Sequence, residues 1–186
     1  MPISNVLALN QLLLRPYLAN ARCAVDATVG NGHDSAFILR HAPRLEYLFC
    51  CDIQSRAIQS SRNRLAETET HAQLYWYEMD HAAFFADFPL PIDVAVFNLG
   101  YLPGTDHKVH THTDNTLTAC TQALSCLRKG GVLSVVSYPG TPAGEREHAV
   151  LQEWARTLRQ QQWHVACIDM INQIHQPPCL LFIERR

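Results

Sequence analysis

The stretch CAVDATVGNGHDSAFILRH, residues 23–41, decides the fold of this 186-residue chain. Its first four residues, 23–26, form the apolar run of a short buried strand. Gly30 and Gly32 then permit a tight turn, and a helical pattern follows over residues 33–41. A strand that enters a helix through a glycine turn is typical of open, mostly parallel α/β sheets.

The same alternation of strands and helices continues along the chain. Pro177 and Pro178 separate the last two strands, which suits a C-terminal antiparallel hairpin. The sequence therefore predicts one α/β domain over residues 1–186, with helices on both faces of a mostly parallel, seven-stranded sheet. Further strands are predicted at residues 45–51, 74–77, 93–97, 132–137, 164–171 and 179–183. Further helices are predicted at residues 54–66, 114–127 and 145–160, and Gly130 and Gly131 are predicted to end the second of these. A first helix is predicted to begin near Asn5, with Pro16 limiting it.

Composition excludes several classes of protein. Hydrophobic residues make up 47% of the chain, which is too many for a disordered protein. The net charge of −2 argues against a polybasic nucleic-acid arm, although the ten histidines can add positive charge beside a polyanion. None of the seven cysteines forms a CxxC pair, which favours a reducing cytosol. With no signal peptide and no apolar run of membrane-spanning length, we expect a cytoplasmic protein.

Acidic residues follow the first three predicted strands. Asp26, Asp52 and Asp80 stand at strand ends that meet at one edge of a parallel sheet, where such sheets bind ligands. Asp52 comes 20 residues after Gly32, and its carboxylate can accept both hydroxyls of a ribose. Residues 30–35 match the glycine pattern of NAD-binding loops only in part, because Ser35 replaces the last glycine.

S-adenosyl-L-methionine (SAM) fits these acids better than NAD does. Asp26 can bind the methionine amino group and Asp80 can accept from the adenine amino group, whereas NAD requires no amine acceptor at Asp26. The alternative reading is that the glycines only make a turn and that Asp52 only caps a helix.

The end of the fourth strand predicts the reaction. Asn98-Leu99-Gly100-Tyr101 has the N-x-x-Y spacing of methyltransferases that act on amino nitrogens. Asn98 Oδ1 and a neighbouring backbone carbonyl can accept the two amine hydrogens, which leaves the nitrogen lone pair free for an in-line displacement. Tyr101 can stack on a flat base. An ordinary turn is the alternative, since Asn and Gly are common there.

These motifs resemble those of a known family, and the resemblance covers nearly the whole chain. The chain resembles the small SAM-dependent methyltransferases described as rRNA methylases, a group that includes tRNA 5-aminomethyl-2-thiouridine methyltransferases. The most specific match is NLGYLPG at residues 98–104. The others are DATVGNGHD at 26–34, DIQ at 52–54, YPG at 138–140, and NQ at 172–173 followed by the two prolines.

The resemblance implies a Rossmann-like class I methyltransferase fold with SAM as the cofactor. The chain departs from the family at residue 80, where the family tends to have serine before the histidine and this chain has aspartate. The residues implied to bind the cofactor are Asp26, Gly30, Asn31, Gly32, Asp34, Asp52, Gln54, Asp80 and His81.

The resemblance also implies an RNA substrate, the primary amine of 5-aminomethyl-2-thiouridine at wobble position 34 in a tRNA anticodon loop. Asn98 and Tyr101 would act at the amine. The loop at residues 105–112 is the candidate for RNA contact through Lys108, and Gly100 and Tyr138 would line the substrate pocket. The proton acceptor stays open among Asp34, His81, Asp106 and His107, and loss of the proton to water before binding is an equal alternative.

Three other expectations concern a metal site, the oligomeric state and alternative functions. His107, His110 and His112 have a spacing compatible with a metal, but no carboxylate or cysteine pattern supports one and methyl transfer needs none, so we expect no metal site. A homodimer would enlarge the RNA-contacting surface. The alternative functions are methylation of rRNA or of a small-molecule amine, and a non-catalytic, NAD-type nucleotide-binding module.

Overall fold

The computed structural model of the chain describes residues 5–100 and 113–186. Among them a seven-stranded sheet is flanked by helices. The strands are β1 (Cys23–Asp26), β2 (Tyr47–Asp52), β3 (Gln73–Glu78), β4 (Ile92–Asn98), β5 (Leu127–Ser137), β6 (Trp163–Ile168) and β7 (Cys179–Arg185). The helices are α1 (Val6–Leu18), α2 (His33–His41), α3 (Ser55–Leu65), α4 (His81–Ala86), α5 (Thr113–Cys126) and α6 (Pro142–Thr157).

The strand order is β3-β2-β1-β4-β5-β7-β6. The first five strands run parallel to their neighbours, whereas β7 runs antiparallel to both β5 and β6. The predicted fold is therefore confirmed: a mostly parallel α/β sheet that closes with an antiparallel hairpin. The order reverses beside β1, because β2 leads to one side and β4 to the other, and open sheets bind ligands at such a point.

The core has two layers, one on each face of the sheet. All four residues of β1 are buried, and successive side chains point to opposite faces. Ala24 lies in the cluster that includes Leu18 and Ile38 from α1 and α2, whereas Val25 lies in the cluster that includes Leu124 from α5. This burial on both faces explains why the parallel strands appear in the sequence as continuous apolar runs.

Several element boundaries differ from the prediction. Pro16 lies inside α1 rather than limiting it. Gly130 and Gly131 lie inside β5 and do not end a helix, because Leu127 already pairs with Ile92 of β4. Helix α6 begins and ends three residues earlier than predicted, at Pro142–Thr157 instead of 145–160. Strand β6 ends at Ile168, three residues before the predicted end.

Helix α4 was missed altogether. It has only six residues, and that length is too short to display a helical period. Its signal in the sequence is the capping residue, since Asp80 Oδ1 accepts a hydrogen bond of 2.8 Å from Ala82 N. In the described part of the chain, no helix has both the length and the apolar character that crossing a membrane demands.

Candidate active site

The carboxyl ends of β1, β2 and β4 meet at one edge of the sheet, as the sequence predicted. The turn after β1 is bonded to both neighbouring strands. Thr28 Oγ1 accepts a hydrogen bond of 2.6 Å from Asn98 N at the end of β4. Val29 N donates to Cys51 O of β2 over 2.9 Å. Thr28 was not among the predicted site residues, yet it fixes the position of Asn98.

Asp26 is buried beneath this turn, with 1% of its surface exposed. Its Oδ2 accepts a hydrogen bond of 2.7 Å from Ser35 Oγ of α2, and its Oδ1 lies 3.4 Å from Thr28 N. Burial, reinforced by the nearby Asp34 carboxylate, raises the pKa of Asp26 to about 7. The structure thus gives Asp26 a role in holding the turn against α2, and its contact with the methionine amino group stays a prediction.

The glycine loop connects the turn to α2. Gly30 and Gly32 have φ values of 49° and 76°, which favour glycine. A Cβ on Gly32 would lie 3.0 Å from the Cβ of Ser61, so the missing side chain also lets the loop approach α3. Gly30 N donates a hydrogen bond of 2.9 Å to Asp52 Oδ2 at the end of β2. The loop and the predicted ribose-binding carboxylate are therefore in direct contact.

Asp52 is partly buried at the mouth of this loop. Its Oδ1 accepts a hydrogen bond of 3.0 Å from Gln54 N. Burial raises the pKa of the carboxyl group, against the lowering effect of its backbone hydrogen bonds. The next residue, Ile53, is 55% exposed and offers an apolar surface beside the carboxylate. Sequence analysis did not single out Ile53, although its place between Asp52 and Gln54 could have indicated it.

Two residues predicted to bind the cofactor have other contacts. Asn31 Oδ1 accepts a hydrogen bond of 2.9 Å from Ser60 Oγ, and Asn31 O accepts one from Arg64 Nε, both on α3. Asn31 therefore holds the loop against α3. Gln54 occupies the N-cap position of α3, and its side chain makes no capping hydrogen bond. Their contacts with a cofactor stay predictions.

The end of β3 contributes Asp80 and His81. Asp80 caps α4, and its Oδ2 accepts a hydrogen bond of 3.0 Å from Asn115 Nδ2 of α5. His81 is 6% exposed, and its Nε2 has no hydrogen-bond partner among the described residues. Burial lowers the pKa of His81, so its imidazole is neutral near pH 7. An unpartnered buried nitrogen is unusual, and it fits a polar ligand at this edge of the sheet.

Asn98 lies between two side chains that hold its amide. Its Nδ2 donates to Asp34 Oδ2 over 3.2 Å, and its Oδ1 accepts a hydrogen bond of 2.7 Å from Tyr138 OH. Burial raises the pKa of both the Asp34 carboxyl and the Tyr138 phenol. Because opposite ends of the amide have different partners, the orientation of Asn98 is fixed.

Gly100 and Tyr138 are in contact, as expected for two residues of one pocket. A Cβ on Gly100 would lie 2.9 Å from Cε2 of the Tyr138 ring. Glycine at position 100 therefore lets the ring lie over the backbone. The remaining predictions, for Tyr101, Asp106, His107, Lys108, His110 and His112, lie outside the described residues.

The strand order and the polar groups at the ends of β1, β2 and β4 together define a class I methyltransferase fold. Residues 48–184 match the sequence family described as "Putative rRNA methylase". The chain belongs to this family of SAM-dependent methyltransferases. This finding confirms the predicted cofactor and decides against the NAD-type module.

Three relatives illustrate the match. A chloroplast tRNA (mnm5s2U34)-methyltransferase from Arabidopsis thaliana is 30% identical over 172 residues, which are 87% of this chain and 62% of the plant protein. An rRNA-methylase from Clostridium thermocellum is 30% identical, with a TM-score of 0.93 and full coverage of both chains. A Streptococcus mutans methyltransferase in complex with SAH is also 30% identical, with a TM-score of 0.88 and full coverage of both chains. The tRNA substrate, the dimer and the cytoplasmic location stay predictions for this chain.

Proposed function

We propose that this protein is a SAM-dependent N-methyltransferase that converts 5-aminomethyl-2-thiouridine to 5-methylaminomethyl-2-thiouridine at wobble position 34 of tRNA. The observation that carries the proposal is the fixed amide of Asn98. It lies at the end of β4, bonded through its backbone to the turn that begins the cofactor loop. This contact supports the proposal, because it places Asn98 beside the candidate cofactor loop.

Asn98 suits an amine nucleophile because its Oδ1 is aimed by its neighbours. Tyr138 OH and Asp34 Oδ2 hold opposite ends of the amide. A carbonyl oxygen has two lone pairs, so Oδ1 can accept from a substrate amine while it accepts from Tyr138. When bound, SAM supplies an electrophilic methyl group on its sulfonium. Asn98 orients the amine so that its lone pair points at that carbon, and orientation accounts for much of such a rate gain.

The amine must lose a proton before it attacks, because an alkyl ammonium has no lone pair. Of the residues considered as proton acceptors, Asp34 is hydrogen-bonded to Asn98, and burial raises its pKa. A carboxylate with a raised pKa is a better base near neutral pH. We assign Asp34 the role of proton acceptor. In the transfer, the nitrogen–carbon bond forms as the sulfur–carbon bond breaks, and SAH leaves.

The choice of tRNA rests on the curated relative. The Arabidopsis thaliana protein is named for methylation at U34 of tRNA, and 87% of this chain aligns with it. The substrate pocket would lie between Asn98 and the Tyr138 ring, with Tyr101 and Lys108 as further contacts. The anticodon loop is the part of tRNA that carries this uridine.

The decisive experiment compares nucleosides of tRNA from cells with and without the protein by mass spectrometry. Loss of the protein should leave the aminomethyl form and remove the methylaminomethyl form. In vitro, the purified protein should methylate tRNA that carries the aminomethyl group and leave tRNA without it unmodified. Asn98→Ala should abolish turnover while SAM affinity changes less than about twofold. An unchanged nucleoside profile would refute the proposed substrate.

Ribosomal RNA is the second candidate substrate, because the matching family is described by rRNA methylation. Incorporation of labelled methyl groups from SAM into total RNA distinguishes a tRNA substrate from an rRNA substrate. Label that appears in purified ribosomal RNA and not in tRNA would favour this alternative. Label that appears in neither would favour a small-molecule amine.

A homodimer in the cytoplasm forms part of the same proposal. Strand β6 ends the sheet, and its four central residues are exposed. An exposed edge strand can pair with a second chain. Light scattering at the concentration of the activity assay tests this point, and a monomeric mass under those conditions would remove the dimer from the proposal.

A further inference from the structure

A second group of chemically reactive side chains lies beneath α6. One ligand atom from each of His148, Asp169 and Cys179 lies within 4.8 Å of the other two. The three residues come from different parts of the chain. His148 is on α6, Asp169 follows β6, and Cys179 begins β7. The fold brings these three side chains together, and no sequence motif indicates that they are close.

Sheet register explains why these side chains meet. Ser137 of β5 pairs with Cys179 of β7. Ile168 pairs with Leu180, so the next residue, Asp169, continues the register opposite Cys179. Directly opposed residues of antiparallel strands point to the same face. The Ser137 Oγ lies 2.9 Å from Nδ1 of His148, which places α6 over this face.

A second thiol lies beside one member of this group, Cys179. The Sγ of Cys167 lies 3.3 Å from the Sγ of Cys179. Cys167 is two residues before Asp169, so both point to the face shared with Cys179. Gln152, one helical turn after His148, donates a hydrogen bond of 3.2 Å from Nε2 to Cys167 Sγ. Helix α6 therefore faces both thiols: His148 lies near Cys179, and Gln152 contacts Cys167.

We propose that His148, Cys167, Asp169 and Cys179 form a binding site for Zn²⁺. Thiolate, imidazole and carboxylate are the groups that bind zinc in proteins, and four protein ligands are typical of structural sites. Two thiolate sulfurs at tetrahedral Zn²⁺ distances lie roughly 3.8 Å apart. The two sulfurs, which are 3.3 Å apart, would therefore separate by roughly 0.5 Å to bind one ion. Ser137 and Gln152 hold His148 and Cys167 from outside, as the second shell of a metal site does.

A bound ion would connect α6 to β6 and β7 immediately behind the substrate pocket. Ser137, which contacts His148, precedes Tyr138, whose phenol holds Asn98. Metal binding would thus stabilise the strand end that presents Tyr138. This proposal departs from the expectation of no metal site, which was based on the histidines of residues 107–112, and the proposed site uses none of those histidines.

Cobalt(II) titration of the full-length, reduced, metal-free protein tests the proposal. Tetrahedral Co²⁺ with thiolate ligands has characteristic visible and charge-transfer absorption. We expect one Co²⁺ per chain, displaced by one Zn²⁺. Cys179→Ser and His148→Ala should each weaken affinity at least tenfold, and Cys167→Ser should remove about half of the charge-transfer intensity. The matched controls Cys126→Ser and His71→Ala, the latter at an exposed histidine, should bind as the wild type does.

Protection of cysteines from alkylation tests the same site in the wild-type protein, without any substitution that could disturb folding. Zn²⁺ should protect Cys167, which is exposed, from alkylation by iodoacetamide, and it should leave the half-buried Cys126 at its metal-free rate. Failure to bind Co²⁺ would overturn the proposal, as would binding of Co²⁺ by Cys179→Ser with the affinity and the charge-transfer intensity of the wild type. A Cys167–Cys179 disulfide in the non-reduced protein, with no metal bound after reduction, would show that the thiols serve redox chemistry instead.

Discussion

The phenol of Tyr138 donates a hydrogen bond of 2.7 Å to Oδ1 of Asn98, a residue 40 positions earlier in the chain. Asp34 accepts from the other end of the same amide. The three side chains begin on different elements, at the end of β5, the end of β4 and the first turn of α2. This arrangement makes the orientation of Asn98 a property of the whole fold and not of the local turn.

Tyr138→Phe tests the importance of this hydrogen bond. The substitution keeps the ring over Gly100 and removes one of the two contacts that fix the amide. Because one hydrogen bond contributes about 1 kcal/mol, we expect kcat to fall about five- to tenfold. SAM affinity, measured by calorimetry, should change less than about twofold, since the proposed role of Tyr138 is in the substrate pocket and not in the cofactor site. An unchanged kcat would show that Asp34 alone orients Asn98.

Gly100→Ala tests the close approach of backbone and ring. The added Cβ would lie 2.9 Å from Tyr138 Cε2, so the ring must shift, and we expect the shift to weaken its hydrogen bond to Asn98. We expect a loss of activity at least as large as in Tyr138→Phe, with a fall of about 1–3 kcal/mol in the free energy of unfolding.

Gly140→Ala is the matched control for that variant. The atom nearest to its added Cβ is Gln176 O at 3.7 Å, which is ordinary van der Waals contact. Activity and the denaturant midpoint should therefore stay close to the wild type. If both glycine variants lost activity equally, the cause would be the loss of glycine's backbone freedom at each position and not a clash with the Tyr138 ring.

Asp52→Ala tests the cofactor assignment. The carboxylate holds Gly30 N and Gln54 N and is the predicted acceptor for ribose hydroxyls. Loss of hydrogen bonds to a charged group costs about 1.5–3 kcal/mol, so SAM affinity should fall about 10- to 150-fold. The control is Glu78→Ala, because Glu78 pairs with Asp52 in the sheet but bonds to Ser55 Oγ. Calorimetry should show SAM affinity within about threefold of wild type for Glu78→Ala, and normal affinity in Asp52→Ala would refute the ribose role.

The residues that the sequence placed correctly stand at strand ends. Asp26, Asp52 and Asn98 each follow an apolar run, and parallel strands bring their carboxyl ends to one edge whatever the rest of the chain does. The positions of these three candidate site residues in the fold could therefore be predicted from local patterns. The burial of His81, whose Nε2 has no partner within residues 5–100 and 113–186, could not be predicted, because it depends on α4, which is too short for its period to show.

The contacts that cross the sheet required the structure. The bond from Tyr138 to Asn98 and the approach of Cys179 to His148 depend on strand order and on where α6 crosses the sheet. Neither follows from spacing along the chain. Gly130 and Gly131 misled the prediction of β5 for a related reason, since pairing of Leu127 with β4 outweighs the local preference of glycine for a helix end.

The buried Asp26 predicts a pH dependence of stability. Its pKa is about 7 in the folded protein, because of burial and the nearby Asp34, and about 4 when the chain is unfolded. Between these values the folded state holds a proton that the unfolded chain has lost, so stability falls as pH rises from about 4 to about 7. Above that range the loss is complete.

Asp26→Asn removes this titration with little change of shape, so its stability should decline less between pH 5 and pH 8 than that of the wild type. Between pH 5 and pH 8, we expect the melting temperature of the SAM-free wild type to fall by at least about 2 °C more than that of Asp26→Asn. This difference corresponds to about 1 kcal/mol for a domain of this size. Scanning calorimetry at the two pH values measures the difference directly. Melting curves that shift in parallel for the two proteins would mean that Asp26 is already ionised at pH 5. The carboxylate would then be charged beneath the turn throughout this range, and Ser35 and Thr28 N would have to stabilise that charge.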